Sequence, residues 1–217
     1  MTAHEAVPTQ VLVLCERLDI AAFIDVYIKY LRNQGVSIPK VRIINLQCLD
    51  NLPQYLQDVK EEELLSEYRK VVLFADAGTK RLETEHFLYS VKQHSFLVDV
   101  DYDLYLFPKK SAAGNWSLGF MEDLLVPALK QETSECCYFY NLHNIAHEYI
   151  FSVNNSRGKG NRLVNYSRNF LYGYFAGTER FVGLRLGEAA AKGAFDLDHE
   201  GFKGLRKFLE TLGNKKI

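Results

Sequence analysis

The sequence predicts an α/β fold with an open, mainly parallel four-stranded sheet, helices on both faces and a helical C-terminal half. In the first half of the 217-residue chain, short continuous apolar runs alternate with segments of helical periodicity. A continuous apolar run is typical of a strand that is buried on both faces, as in a parallel sheet covered by helices. After a polar break near residue 110, helical spacing alone recurs.

The elements predicted for the first half alternate between strand and helix. Residues 11–15 form the first strand, and apolar residues spaced from Ile20 to Leu31 predict an amphipathic helix that stops at Gly35. The next elements are a strand at 41–46, a helix at 52–68, a strand at 71–75, a helix at 80–94 and a strand at 102–107. This alternation predicts parallel strands joined by helices.

The second half is predicted to be helical. Apolar residues recur at three- and four-residue spacing over 119–130, 135–151, 163–175, 184–192 and 200–212. The polar segment 152–162 interrupts the series. Because the change near residue 110 has no linker character, we predict a single domain over 1–217. In it, an α/β core at about 8–108 carries a mostly helical extension, 109–217.

Composition restricts the classes of partner. The formal net charge is -1, so no overall positive field attracts nucleic acid or an anionic membrane, and any nucleic-acid contact must be local. No apolar run approaches the length of a membrane span, which predicts a protein without a membrane contact. The four cysteines lack C-x-x-C spacing and are expected to be reduced thiols. A cytoplasmic location is therefore expected.

Two of the predicted strands end at an acidic residue. Glu16 follows the strand at 11–15, and Asp76 follows the strand at 71–75. In open α/β sheets ligands bind at the carboxyl ends of strands, and the first and third strands are neighbours in a 2-1-3 order. Two adjacent carboxylates can share a hard cation such as Mg²⁺. The alternative is that each acid only begins a helix, where backbone N–H groups favour negative charge.

A third acidic position follows the fourth strand. The segment G-x-x-E-D-L-L at 119–125 is predicted to begin a helix at the same edge of the sheet. A helix that begins there can present Glu122 or Asp123 to the acids Glu16 and Asp76. These four acids are the candidate metal ligands, and Glu16, Asp76 and Glu122 are the candidate catalytic residues.

The order of these motifs resembles the DUF3226 family. It runs from Glu16 through Asp76, the proline that closes the fourth strand and the G-x-x-E-D-L-L segment to a tail at 191–209. That family is similar to the TOPRIM domains of topoisomerases, primases and OLD-type nucleases, in which a strand-end glutamate and an Asp-x-Asp pair bind Mg²⁺. The resemblance implies a TOPRIM-like sheet and phosphoryl transfer or strand cleavage. Glu16 matches the glutamate, and Asp76 matches the second aspartate.

The chain also departs from that family. Phe74 stands where the first aspartate is expected, and Lys109 and Lys110 follow the proline where the family tends to carry an acid. A two-metal mechanism needs enough ligands to hold two ions about 4 Å apart. With these ligands missing, the sequence predicts one weakly held Mg²⁺ or none.

Positive charge is concentrated in a loop that contains two glycines. Arg157, Lys159 and Arg162 lie in this segment, and Lys109 and Lys110 add positive charge after the fourth strand. Basic side chains supply most of the sequence-independent affinity for nucleic acids. The five residues are therefore candidate nucleic-acid contacts, and the alternative for the loop is a solvated segment without a ligand.

Two other patterns are interpreted as structural. Asp99, Asp101 and Asp103 alternate and so share one face of a strand, but the glycine and glutamate of a calcium-binding EF-hand loop are missing. His143 and His147 lie four residues apart, without the glutamate that a zinc protease motif places after the first histidine. A solvated strand face and ordinary core or surface histidines are expected.

Two hypotheses for function follow. The first is Mg²⁺-dependent phosphodiester chemistry on nucleic acid, by a TOPRIM-like nuclease or related enzyme with a partly degraded metal site. The alternative is a catalytically inactive TOPRIM-like module that binds nucleic acid or protein. Glu16, Asp76 and Glu122 favour the enzyme, whereas Phe74 and Lys109 favour the inactive module. The oligomeric state is left open by the sequence.

Overall fold

The sheet is open, and its four strands are all parallel. The computed structural model describes residues 10–61, 67–78, 101–108, 119–130 and 166–212, with scattered helical positions at 84–86 and 141–156. The strand order is β2-β1-β3-β4. The strands are β1 (Gln10–Cys15), β2 (Val41–Asn45), β3 (Tyr68–Asp76) and β4 (Asp101–Phe107). The predicted α/β class and the 2-1-3 neighbour order are confirmed.

Helices surround this sheet. The described helices are α1 (Leu18–Asn33), α2 (Leu52–Glu61), α3 (Glu122–Leu125), α4 (Tyr166–Gly177), α5 (Leu186–Ala191) and α6 (Lys203–Thr211). Short 3-10 turns at Leu49–Asn51 and Glu200–Phe202 lead into α2 and α6. Within the part of the chain that the structure describes, no helix is long and apolar enough to cross a membrane.

Apolar side chains cover the sheet on both faces. Successive residues of a strand point to opposite faces, so the continuous apolar runs bury side chains in two separate clusters. Val72 and Phe74 belong to the larger cluster, with α1, α4, α5 and α6. Val71 and Leu73 belong to the smaller cluster, with α2. The helical cover predicted for both faces is therefore present.

Helix α1 contacts α5 at close range. Its buried residues recur at helical spacing from Ile20 to Leu31, as the sequence predicts, and Gly35 ends the segment with a φ of 80°. A Cβ atom on Gly187 would lie 2.5 Å from the Cβ of Ala22, which is closer than real contacts allow. Glycine at 187 therefore permits the two helix backbones to approach.

Two predicted helices are shorter in the structure. The helix expected at 52–68 is described over Leu52–Glu61, and it does not extend to Tyr68, which is instead the first residue of β3, opposite Gln10 of β1. The helix expected at 119–130 is reduced to α3, because Gly119 and Leu129 form isolated β-bridges to distant residues. In both places, pairing with remote backbone overrides local helical periodicity.

The alternating aspartates of β4 bind a buried lysine. Lys70 of β3 forms ion pairs with Asp101, at 3.4 Å, and with Asp103. The lysine side chain is only 5% exposed, whereas the two aspartates are 36% and 28% exposed. The shared strand face was predicted correctly, but these two aspartates neutralise a buried charge and are not merely solvated. Asp99 lies outside the described residues.

Candidate functional site

The two strand-end acids meet at the carboxyl edge of the sheet. Cys15 lies opposite Phe74 in the parallel pairing of β1 and β3, and this register places the residues that follow at the same edge. The backbone N–H of Asp76 donates a hydrogen bond to Oε2 of Glu16 at 2.8 Å. The carboxylate of Glu16 is thus held against the end of β3.

Glu122 reaches the same edge through a short glycine bridge. Gly78 and Gly119 exchange backbone hydrogen bonds of 2.8 and 3.0 Å, which fasten the start of α3 beside the end of β3. The backbone N–H of Met121 then donates to Oδ1 of Asp76 at 2.7 Å. Glu122 follows directly in the chain, and its side chain is fully buried.

Arg17 binds two of the three predicted catalytic acids at once. Its Nε and Nη2 atoms donate to Oδ2 of Asp76 at 2.9 and 2.5 Å. Its Nη1 and Nη2 atoms donate to the two oxygens of Glu122 at 3.1 Å each. The guanidinium therefore lies between the two carboxylates. Sequence reasoning missed Arg17, and the only signal available was its place directly after a strand-end acid.

A second arginine extends this network to helix α4. Arg168 donates to Oδ2 of Asp19 at 3.1 Å, and its Nε lies 3.8 Å from Oε1 of Glu122. The hydroxyl of Tyr172 donates to the same oxygen of Asp19 at 3.2 Å. Asp19 belongs to the first turn of α1. These contacts join α1, α3 and α4 at the carboxyl edge of the sheet. We call this edge, where Glu16, Asp76 and Glu122 lie, the acidic edge.

Asp123 has a different set of partners. Its Oδ2 accepts a hydrogen bond from the backbone N–H of Phe120 at 2.8 Å, and its Oδ1 accepts one from the hydroxyl of Ser167. One oxygen of Asp123 therefore stabilises the turn before α3, and the other joins α3 to α4. The structure brings Asp123 near the edge but engages it in positioning α3.

Burial shifts the protonation of the acids. The pKa of Asp76 is raised to about 7, chiefly because burial disfavours the charged form, and repulsion from Glu122 and Glu16 adds to this. The charge of Arg17 and the N–H of Met121 oppose the rise. Burial also raises the pKa of Glu16, against the hydrogen bond from Asp76 and the charge of Arg17.

Arg17 remains charged in this setting. Burial by itself would lower the pKa of its guanidinium, but the carboxylates of Asp76 and Glu122 outweigh it and raise that pKa above its ordinary value. Arginine is in any case protonated throughout the working range of proteins. A permanent positive charge is therefore held between two buried carboxylates.

The donor chemistry of the edge fits a hard divalent cation, but Arg17 stands among the donors. Carboxylate oxygens are the ligands that Mg²⁺ prefers. Among the described residues, no group of three or more His, Cys, Asp or Glu side chains is arranged to hold a metal ion. The guanidinium of Arg17 lies between Asp76 and Glu122 and donates hydrogen bonds to carboxylate oxygens that a cation would need as ligands.

Phe74 is committed to the core. Its side chain is fully buried, and its ring lies 5.6 Å from the ring of Tyr105, 6.1 Å from that of Phe107 and 5.6 Å from that of Phe208. Phe74 points to the same face of β3 as Asp76, two residues later. An aromatic cluster therefore occupies the place where the resemblance expects a carboxylate.

Several predicted residues lie outside the part of the chain that the structure describes. These are the five candidate nucleic-acid contacts and the two histidines: Lys109, Lys110, Arg157, Lys159, Arg162, His143 and His147. Their predicted roles stay predictions.

Comparison with known proteins adds no relative. No protein-family model matches the chain, and neither the curated proteins nor the solved structures contain a significant match. The resemblance to DUF3226 and TOPRIM proteins therefore rests on the motifs in the sequence. At the level of topology, the all-parallel sheet in the order β2-β1-β3-β4 is consistent with a TOPRIM-like fold.

Proposed function

We propose that the acidic edge serves Mg²⁺-dependent phosphodiester chemistry on nucleic acid, in the manner of a TOPRIM-like nuclease with a partly degraded metal site. One observation carries the proposal. Glu16, Asp76 and Glu122 come from three separate segments, yet their carboxyl groups meet at the carboxyl edge of a parallel sheet, where α/β proteins bind ligands.

Each acid has a distinct part in this proposal. Glu16 is oriented by the backbone N–H of Asp76, and its other oxygen accepts no hydrogen bond from the described residues. Asp76 is oriented by the N–H of Met121, and Glu122 is buried on α3. These residues would hold one Mg²⁺, which would supply positive charge to the phosphate oxygens during cleavage. Phe74 leaves too few carboxylates for a second ion.

The substrate would be held by positive charge elsewhere on the chain. The basic residues at 157–162, with Lys109 and Lys110, are the proposed phosphate contacts. Such contacts bind nucleic acid without regard to sequence and weaken as the salt concentration rises. The proposal therefore names a nucleic-acid backbone as the substrate and leaves its base sequence open.

Cleavage assays test the enzymatic proposal. Single- and double-stranded DNA and RNA are incubated with the protein and millimolar Mg²⁺ or Mn²⁺. We expect weak cleavage that Glu16→Gln and Asp76→Asn each abolish, while the exposed control Glu200→Gln retains it. Circular dichroism checks that both site variants are folded. Glu16→Gln keeps a carbonyl oxygen for the N–H of Asp76, whereas Asp76→Asn must turn its NH2 group toward either Met121 or Arg17. Absence of cleavage by the folded wild type would contradict the proposal.

A second candidate function is a non-cleaving interaction module. The observation that favours it is the burial of Phe74 among aromatic rings, since a core of this kind replaces a ligand permanently. In this case the basic loop at 157–162 still binds nucleic acid.

Changing Arg157, Lys159 and Arg162 to alanine should lower the slope of log affinity against log salt by roughly three units. An unchanged slope would assign the loop no phosphate contact.

A further inference from the structure

Arg17 holds the acidic edge by its side chain alone. Its backbone is extended, with φ of -129° and ψ of 155°, and it directly precedes α1. The side chain makes no capping hydrogen bond to the described first turn of that helix. Instead, its four hydrogen bonds all go to Asp76 and Glu122. Its Nη1 atom also lies 3.9 Å from Oδ2 of Asp19 in the first turn of α1, a longer contact than those to Asp76 and Glu122. The hydrogen bonds of the guanidinium therefore go to carboxylates that are remote in the chain and not to the helix start.

The side chain of Arg17 also has a route to solvent. It is 18% exposed, whereas the Asp76 side chain is 7% exposed and that of Glu122 is fully buried. The neighbouring Leu18 is 44% exposed, which places this part of the chain at the surface. An arginine has several rotatable bonds, so its guanidinium can turn outward while the backbone stays in place.

Departure of the guanidinium would leave two buried carboxylates without this partner. Buried negative charge is unfavourable, so the vacated position attracts a cation, while Arg168 still lies 3.8 Å from Oε1 of Glu122. A guanidinium and a divalent cation cannot occupy one position between the same oxygens. Binding of the cation and retention of the arginine contacts are therefore mutually exclusive.

We propose that Arg17 is an autoinhibitory contact: its guanidinium fills the position between Asp76 and Glu122, and a divalent cation binds there only when this side chain turns outward. The inference rests on the proposed function, because it assigns regulation to the same acidic edge. With an internal competitor, the apparent affinity for the external cation equals the intrinsic affinity multiplied by the equilibrium fraction of the open state. Weak metal binding in the wild type is the direct consequence.

Mn²⁺ titration of the full chain tests the inference. Binding is measured by calorimetry and by the electron paramagnetic resonance signal of free Mn²⁺ for the wild type, Arg17→Gln and Arg17→Lys. We expect Arg17→Gln to bind at least about tenfold more tightly than the wild type. Arg17→Lys should be intermediate, because an ammonium keeps the charge but lacks the planar fork that binds two carboxylates. Equal or weaker binding by Arg17→Gln would overturn the inference.

Arg32→Gln is the matched control. Arg32 lies in the last turn of the same helix and donates to the backbone oxygen of Pro39, at the opposite end of α1. This variant removes one positive charge from the protein without touching the acidic edge, so its Mn²⁺ affinity should equal that of the wild type. A tenfold gain in this variant as well would overturn the inference, because the effect would then come from net charge.

Thermal unfolding with and without Mn²⁺ separates a loss of stability in the variants from a change in their Mn²⁺ affinity. Arg17→Gln should have a lower Tm than the wild type without metal, and Mn²⁺ should raise its Tm by more than it raises that of the wild type. If Arg17→Gln does not fold, Arg17→Lys decides, and Mn²⁺ affinity no higher than that of the wild type overturns the inference. Tighter Mn²⁺ binding without any cleavage would support Arg17 as the competitor while contradicting the enzymatic proposal.

Discussion

The backbone N–H of Asp76 donates to the carboxylate of Glu16 at 2.8 Å, which joins the ends of two adjacent parallel strands. The ladder continues beside it, since the N–H of Glu16 donates to the carbonyl of Phe74 at 2.9 Å. The orientation of Glu16 therefore depends on the register of β1 against β3. A carboxylate held by backbone in this way keeps its position without help from flexible side chains.

Phe74→Asp should destabilise the protein and not restore a working ligand set. The change places a carboxylate among the rings of Tyr105, Phe107 and Phe208, where it is desolvated. Loss of the ring and burial of the charge should together lower the free energy of unfolding by about 4 kcal/mol. Urea denaturation of this variant and of Phe74→Leu measures the difference.

Phe74→Leu is the control for ring loss alone. It keeps an apolar side chain in the core, and we expect it to lower the free energy of unfolding by about 1 kcal/mol. A Phe74→Asp protein as stable as Phe74→Leu would show that the position is open to solvent or to a cation, contrary to the burial of this side chain.

Gly119→Ala should disturb the acidic edge more than Gly78→Ala, although the two glycines are bridged to each other. A Cβ atom at 119 would lie 2.3 Å from Oδ2 of Asp123 and 2.9 Å from Cδ of Pro108. The turn that presents the N–H of Met121 to Asp76 must then shift. We expect a loss of about 3 kcal/mol in the free energy of unfolding, measured by urea denaturation, and weaker Mn²⁺ binding.

Gly78→Ala separates backbone strain from this steric effect. Gly78 has a φ of 62°, but a Cβ atom there would meet nothing within 4 Å. Gly78→Ala should lower the free energy of unfolding by about 1 kcal/mol, because alanine is strained in a left-handed backbone conformation, and Mn²⁺ binding should be unchanged. Equal losses of stability and of binding in the two variants would contradict the role assigned to the contact between Gly119 and Asp123.

The stability of the wild type should fall between about pH 4 and pH 7. Burial raises the pKa of Asp76 to about 7 in the folded protein, while an unfolded aspartate titrates near 4. In this interval the folded state binds the proton more tightly, so deprotonation favours unfolding and the contribution of Asp76 to stability decreases as pH rises.

Asp76→Asn isolates this titration. The amide cannot ionise, so the Tm of the variant should depend less on pH between 4 and 7. Over this interval the Tm of the wild type should fall by roughly 5 °C more than the Tm of Asp76→Asn. Thermal unfolding in buffers that contain a chelator gives the measurement. A wild type whose Tm rises over that interval relative to Asp76→Asn would show that the charge of Arg17 outweighs burial at this carboxyl.

Neutralising both aspartates that pair with Lys70 should lower the free energy of unfolding by more than replacing Lys70 itself. Replacing both Asp101 and Asp103 with asparagine leaves an ammonium that is 5% exposed beside neutral partners, and should cost about 3 kcal/mol. Lys70→Met leaves two aspartates that water already reaches, and should cost about 1 kcal/mol or less. Urea denaturation measures the free energy of unfolding of both proteins. A larger loss in Lys70→Met than in the double asparagine variant would contradict the prediction that the buried lysine depends on its two aspartates.

The sequence was sufficient for the sheet and for the meeting of Glu16 with Asp76. Continuous apolar runs predict buried strands because both faces of such a sheet are covered, and parallel strands present their carboxyl ends at one edge. It was insufficient for the helix expected at 52–68, because Tyr68 joins β3 by pairing with Gln10, which is remote in the chain. Local periodicity carries no information about such a partner.

What the sequence by itself determined is which positions are apolar, which acids end the strands and therefore which edge of the sheet is acidic. Only the tertiary structure decided what those acids bind. Arg17 meets Asp76 across 59 positions of sequence and Glu122 across 105. An arginine beside an acid is ordinary in a sequence, and its partner is chosen by the three-dimensional approach of buried carboxylates that need a positive charge.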